Sequence, residues 1–264
     1  MTDKEAVLKY SLNGANKGSM SIRRMLIEAF LAGMFIALAG AASTIAASTI
    51  ESASAAKLVT ALIFPAGLAM VILNGTELFT GNSLMIISVL DKKLKIRNLF
   101  KNWLIVYIGN FLGSLFVSAV CVYGHVYTLF GGKAGIAAGA AAAAKCSISP
   151  TDALLKGIMC NILVCVAVMM ALMAETAVGK IGALFLPIMV FVVCGFEHSV
   201  ANMSYISTGL FLSASGQLDS SVSADSLTWG AFLVTNLLPV TIGNIIGGGL
   251  TGVAYWYTDI YKTK

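Results

Sequence analysis

Charge is scarce in this sequence. Asp, Glu, Lys and Arg make up 11% of its 264 residues, where a soluble domain carries roughly a quarter. Hydrophobic residues make up 58%, and the mean hydropathy is +0.88. A soluble core cannot hide that much apolar surface, so the solvent is lipid. Paired cysteines are missing too. Cys121, Cys146, Cys160, Cys165 and Cys194 include no CxxC and read as small packing residues, not a disulfide frame or a metal site. A cleavable leader is not expected, because the polar first 20 residues run straight into an apolar stretch longer than a leader's core. The Gly-rich "GNIIGGGLTG" lacks the P-loop lysine, and no G-x-S-x-G turn occurs, which argues against nucleotide-driven and serine-hydrolase chemistry.

What is present is a set of six apolar segments, at about 25–50, 58–90, 102–124, 154–174, 181–212 and 228–256; one crossing needs ~20 such residues. With the N-terminus inside, thirteen of the seventeen basic residues fall on the inner side, including the run "DKKLKIRNLFK". That asymmetry is the positive-inside signal. The run is a loop anchor and not a nucleic-acid patch, since no aromatic platform accompanies it. Residues 1–24 and 257–264 are expected to be cytoplasmic ends of a single membrane domain spanning 1–264. The outer stretch 131–149, rich in Gly and Ala, reads as a small-residue loop or short helix near the membrane surface.

The second and fifth segments run to about 30 residues and carry polar interruptions, "NGTELFTGN" and "CGFEHSVAN". Aligned, they share G-x-E-x-x-x-x-N: Gly75, Glu77, Asn82 against Gly195, Glu197, Asn202. The third and sixth segments also match, "NWLIVYIGNFLG" with "NLLPVTIGNIIG", at seven of twelve positions that include Asn110 and Asn244. Glu28 and Lys156 fall at comparable but weakly matching places. A three-span unit is odd, so its second copy enters the membrane from the opposite side. Such inverted repeats place their site at the midplane on discontinuous helices.

Each break frees N–H groups at the start of a half-helix, around Thr80, Gly81 and Asn82 and around Ser199, Val200 and Ala201, and such starts favour anions. Glu77 and Glu197 sit just before the restarts, where a carboxylate can accept backbone N–H bonds; they are expected to fix the loops. Lys156 either attracts anions or pairs with Glu77, Glu197 or Glu28. His198 is a hydrogen-bond or proton donor to a passing weak-acid anion, with Thr80 at the matching break as its partner.

"GTELFTGN", "GFEHSVANM" and "KGIMCNILVC" resemble the motifs of the formate–nitrite transporter family over nearly the whole chain. The resemblance implies an all-α membrane protein of six transmembrane helices in a 3+3 inverted repeat. Its protomer is aquaporin-like, with broken second and fifth helices, and assembles as a homopentamer in the cytoplasmic membrane of a prokaryote. It implies a central His198 facing Thr80 and two apolar constrictions, at Phe64, Leu68, Leu78, Phe79, Val164 and Phe191, with Asn161 and Asn202 as polar positions close to the pore. Its substrates are formate, nitrite or hydrosulfide, with no cofactor, no metal and no nucleic acid, and the branch stays open. The alternative is an aquaporin-like neutral-solute pore, although no Asn-Pro-Ala stands at either break. An intramembrane serine enzyme is disfavoured, because the neighbours His198 and Ser199 cannot form a nucleophile–base pair.

Overall fold

The computed structural model describes residues 2–262, and every regular element among them is helical. A first helix, α1 (Asp3–Ser19), is closed by a capping box between Thr2 and Glu5. It precedes α2 (Ile22–Ala47). The second apolar segment is a chain of pieces: α3 (Ala53–Ile63), α4 (Pro65–Asn74), α5 (Phe79–Asn82) and α6 (Ile86–Leu90). Then come α7 (Ile96–Tyr123), α8 (Lys133–Cys146), α9 (Pro150–Met173), α10 (Ala177–Val193), α11 (Ser199–Ala214) and α12 (Leu238–Trp256). Wider π-helical turns at Ala231–Leu237 and Tyr257–Tyr261 extend α12 at both ends.

Five helical runs among the described residues are long and apolar enough to cross a membrane: Ile22–Ala47, Ala53–Asn74, Ile96–Tyr123, Pro150–Met173 and Ala231–Tyr261. The fifth segment is split into α10 and α11, of 17 and 16 residues. Helices start earlier than hydropathy alone suggests because capping sets their ends. Ser21 and Ser52 accept the Arg24 and Ala55 N–H groups and open α2 and α3 ahead of the apolar runs. The final run continues to Tyr261, so most of the expected C-terminal tail is helical; Thr263 and Lys264 lie outside the described residues.

Two helix pairs form the frame, α2 on α7 and α9 on α12. Both depend on glycines four residues apart, which let backbones approach closely. A Cβ at Gly113 would meet the Phe30 carbonyl oxygen, and one at Gly247 would meet that of Ile158. Gly109 and Gly243, one turn earlier, face α2 and α9 in the same way. The apolar outer face is explicit on α7, where Phe100, Leu104, Ile108, Leu112 and Phe116 stand exposed at four-residue intervals.

The two helices outside the apolar segments dock against the bundle. Tyr10 of α1 donates to the Gly81 carbonyl at 3.0 Å, and Ser88 donates to the Ser11 carbonyl at 2.8 Å. Burial pushes the Tyr10 phenol well above its usual range, so it remains a donor. The Gly/Ala-rich stretch at 131–149 contains α8, packed on α11. Its buried face is Ala134, Gly135, Ala138, Gly139 and Ala142, and Gly139 has no room for a Cβ beside Leu218.

Candidate functional site

Both breaks share one backbone path. Helix α4 ends at Asn74, Gly75 takes the left-handed conformation (φ 65°), and α5 restarts at Phe79 from an extended Leu78 (φ −107°). Helix α10 ends at Val193, Gly195 is left-handed (φ 68°), and α11 restarts at Ser199 from an extended His198 (φ −108°). Glycine is favoured at these two turns because a Cβ is strained at positive φ.

Buried non-helical backbone needs partners for its polar groups, and one asparagine supplies them at each break. Asn110 Oδ1 accepts the Phe79 N–H at 2.9 Å, while its amide donates to the carbonyls of Ala29 (2.8 Å) and Glu77 (2.9 Å). Asn244 repeats this, accepting the Ser199 N–H at 2.9 Å and donating to Gly157 (2.8 Å) and Glu197 (3.0 Å). These side chains, which the sequence aligns without assigning them a role, take the restart N–H groups expected to go to Glu77 and Glu197.

The carboxylates bond side chains instead. Glu77 receives Lys17 Nζ at 2.6 Å, Asn82 Nδ2 at 2.7 Å and Asn102 Nδ2 at 3.3 Å. Glu197 receives Lys145 Nζ at 2.9 Å on both oxygens and Asn202 Nδ2 at 2.6 Å. Asn202 also donates to Asn236 Oδ1 at 2.8 Å, as Asn82 does to Asn102 Oδ1 at 2.8 Å. Even the outer link is duplicated, with Asn236 donating to the Lys145 carbonyl and Asn102 to that of Lys17. A buried carboxylate is tolerable only when paired and hydrogen-bonded, and the docked helices α1 and α8 deliver the two lysines. In the sequence, Lys17 and Lys145 count only as basic residues on the two sides.

Between the breaks, Thr80 Oγ1 lies 3.0 Å from His198 Nε2, with both side chains buried. His198 Nδ1 accepts the Ala201 N–H at 3.1 Å. A nitrogen that accepts cannot also carry the proton of a neutral ring, so the neutral imidazole is protonated on Nε2 and donates to Thr80. The Thr80 hydroxyl proton is thereby left free to donate elsewhere. Phe191 stacks on the His198 ring at 5.9 Å and meets Phe64 edge-on at 5.7 Å.

Two cavities reach the breaks: His198 lines the smaller, while Thr80 lines neither and its neighbours Leu78 and Gly81 line the larger. One, about 720 Å³, is lined by Leu68, Leu78, Glu77, Gly81, Asn82 and residues of α1. The other, about 340 Å³, is lined by Phe64, Phe191, Glu197, His198, Asn202 and Tyr205. Leu68 and Leu78 therefore stand in the wall of the first cavity, and Phe64 and Phe191 in that of the second. Four more residues expected at the pore lie off both cavity walls. Phe79 lines neither cavity, because its ring packs on Tyr107 (4.8 Å) and Trp103 (6.2 Å). Val164 is buried in the core outside both cavity walls. Asn161 is also off the walls, donating to the carbonyls of Thr80 (3.2 Å) and Asn244 (2.6 Å). Lys156 lines neither cavity, and its carbonyl accepts the Glu197 N–H at 3.3 Å. None of its three candidate partners is bound to it: Glu77 pairs with Lys17, Glu197 with Lys145 and Glu28 with Arg24.

The chain is similar to known proteins over most of its length. A family model described as formate/nitrite transporter matches residues 4–257. A probable formate transporter of Methanothermobacter thermautotrophicus is 34% identical over 92% of this chain and 91% of its own length. Among solved structures, an FNT family ion channel superposes with a TM-score of 0.85 at 27% identity, covering 96% of this chain and 98% of that one. A pentameric formate channel with formate bound gives a TM-score of 0.80 at 32% identity, over 91% and 98%. These relatives are channels and transporters, not enzymes. With its apolar helices and paired breaks, this multi-pass membrane chain belongs to the formate/nitrite transporter family.

Proposed function

We propose that the protein is a channel for small monovalent weak-acid anions, with formate, nitrite and hydrosulfide as the candidate substrates. It works as a single channel domain in a homopentamer, in the cytoplasmic membrane of a prokaryote with both termini inside. Its six crossings form a 3+3 inverted repeat of aquaporin-like design. The observation that carries this reading is the Thr80–His198 hydrogen bond, which joins the starts of the two restarted helices, with His198 on the wall of the smaller cavity.

An anion entering either vestibule meets an apolar closure, Leu68 and Leu78 on one side or Phe64 and Phe191 on the other. Crossing it bare costs several kcal/mol because the charge loses its water. Hydrogen bonds to charged groups are the strong ones, and the His198 Nε2–H and the Thr80 hydroxyl are aligned in series to provide one. Because Nε2–H donates to Thr80, the hydroxyl is polarised toward donation, and the permeant crosses as a partly neutralised hydrogen-bonded complex, or as the neutral acid when vestibule water supplies the proton and His198 stays neutral. Asn161 fixes the Thr80 carbonyl and Asn202 ties Glu197 into the outer wall, so both act by positioning. Glu77 and Glu197 hold the loops through their lysines and asparagines.

Uptake into proteoliposomes tests the reading. Formate, nitrite and hydrosulfide are compared with glycerol in the same vesicles. Saturable uptake of at least one anion with no glycerol entry supports an anion channel; glycerol entry without anion uptake identifies a neutral-solute pore.

A further inference from the structure

The charges that line the vestibules are mostly cancelled in pairs. In the larger cavity Lys17 is bound to Glu77 and Arg24 to Glu28; in the smaller, Lys145 is bound to Glu197. Each cavity wall then holds one more cation than carboxylate. The extra residue is Lys180 in the larger cavity and Lys57 in the smaller. Neither forms an ion pair among the described residues.

Their positions correspond. Lys57 lies on the second turn of α3 and Lys180 on the first turn of α10, in the half-segments that lead into the two breaks. When Gly75 is matched to Gly195, Lys180 falls on Thr60, three residues from Lys57. Positions three apart share a helix face, and Thr60 lines the same cavity as Lys57. The Lys57 ammonium also reaches the second break, 3.8 Å from where a Cβ would stand on Gly195.

We infer that Lys57 and Lys180 are the anion-capture residues of the two mouths, each concentrating the permeant in its own vestibule before the His198–Thr80 step. This rests on the anion-channel reading and adds to it a division of labour. A paired lysine holds each break closed, and the unpaired one supplies the field. A cleft lined by one sign of charge with low-dielectric walls raises the local concentration of the opposite ion. Capture therefore governs half-saturation and leaves the limiting flux to the central pair.

The test uses labelled formate and the full-length protein in membrane vesicles of both orientations, right-side-out and inverted, at low ionic strength. Lys57→Gln is expected to raise the half-saturation concentration roughly threefold to tenfold from the side of the smaller cavity only. Lys180→Gln is expected to do the same from the opposite side. Maximal flux stays at the wild-type level in both, Lys→Arg variants behave as wild type, and the differences close at about 0.5 M salt, where screening is nearly complete. Unchanged half-saturation in both variants, or a change that persists at high salt, overturns the inference while the anion-channel reading stands. A wild-type protein with no saturable formate flux overturns both.

Discussion

Asn110 and Asn244 make the same three hydrogen bonds in two different places: each accepts a restart N–H and donates to two carbonyls, one of them from the glutamate of its own break. Replacing either with Ala leaves a buried restart N–H and the loop glutamate's carbonyl without their partner, while Ala29 and Gly157 keep their helical bonds. Each unsatisfied group costs about 1–3 kcal/mol, so Asn110→Ala and Asn244→Ala are both expected to lower the unfolding temperature of the detergent-solubilised protein, by similar amounts. Asn→Asp is expected to be worse than Asn→Ala, since it turns a donor facing two carbonyls into an acceptor. Thermal unfolding of the four variants checks this, and a neutral Asn244→Asp contradicts it.

The carboxylates give a second prediction. Removing one partner of a buried pair costs about 3–5 kcal/mol because the other charge is left stranded. Lys145→Met is therefore expected to destabilise strongly, and Lys145→Met with Glu197→Gln to recover much of the loss. Lys17 and Lys145 are about equally exposed, at 24% and 20% of the side chain, and Glu77 is the more buried carboxylate, at 2% against 8%. Lys17→Met is therefore expected to cost at least as much as Lys145→Met, because the stranded Glu77 is shielded from solvent. A double-mutant cycle on each pair measures the coupling.

Much of this arrangement is legible in the sequence. The two G-x-E-x-x-x-x-N loops place both breaks, and the left-handed glycines stand at their first position. The match of Asn102–Gly113 with Asn236–Gly247 already holds the four asparagines that bind the loops, although nothing in one dimension says which way an amide points. Lys17 and Lys145 are not legible as partners, since the pairings span 60 and 52 residues and depend on how α1 and α8 dock. The placement of Lys156, which pairs with none of the three glutamates and lines neither cavity, is not legible for the same reason. A cation inside an apolar segment suggests a path, but helix rotation decides which face it occupies.

Phe79 and Phe191 separate family pattern from placement. Phe191 lines a cavity beside His198, whereas Phe79 packs away from both cavities on Tyr107 and Trp103. Phe191→Ala is expected to widen the smaller cavity beside His198, raising flux and admitting larger carboxylates such as lactate. Phe79→Leu is expected to leave the substrate range unchanged and to lower stability by about 1–2 kcal/mol through lost aromatic packing. Competition uptake with a carboxylate size series distinguishes them.

The most direct measurement is formate uptake across a range of pH by wild type, His198→Asn and Thr80→Val, corrected for protein-free vesicles. Asn at position 198 can still accept the Ala201 N–H as a helix cap, so the fold is kept while the donor to Thr80 is lost. Loss of one charge-assisted hydrogen bond, about 1.5–3 kcal/mol, corresponds to roughly a tenfold to hundredfold drop in rate. Both variants are expected to show that drop, together with loss of the protein-dependent pH profile. Wild-type flux with an unchanged pH profile in either variant would contradict a hydrogen-bond relay through the Thr80–His198 pair.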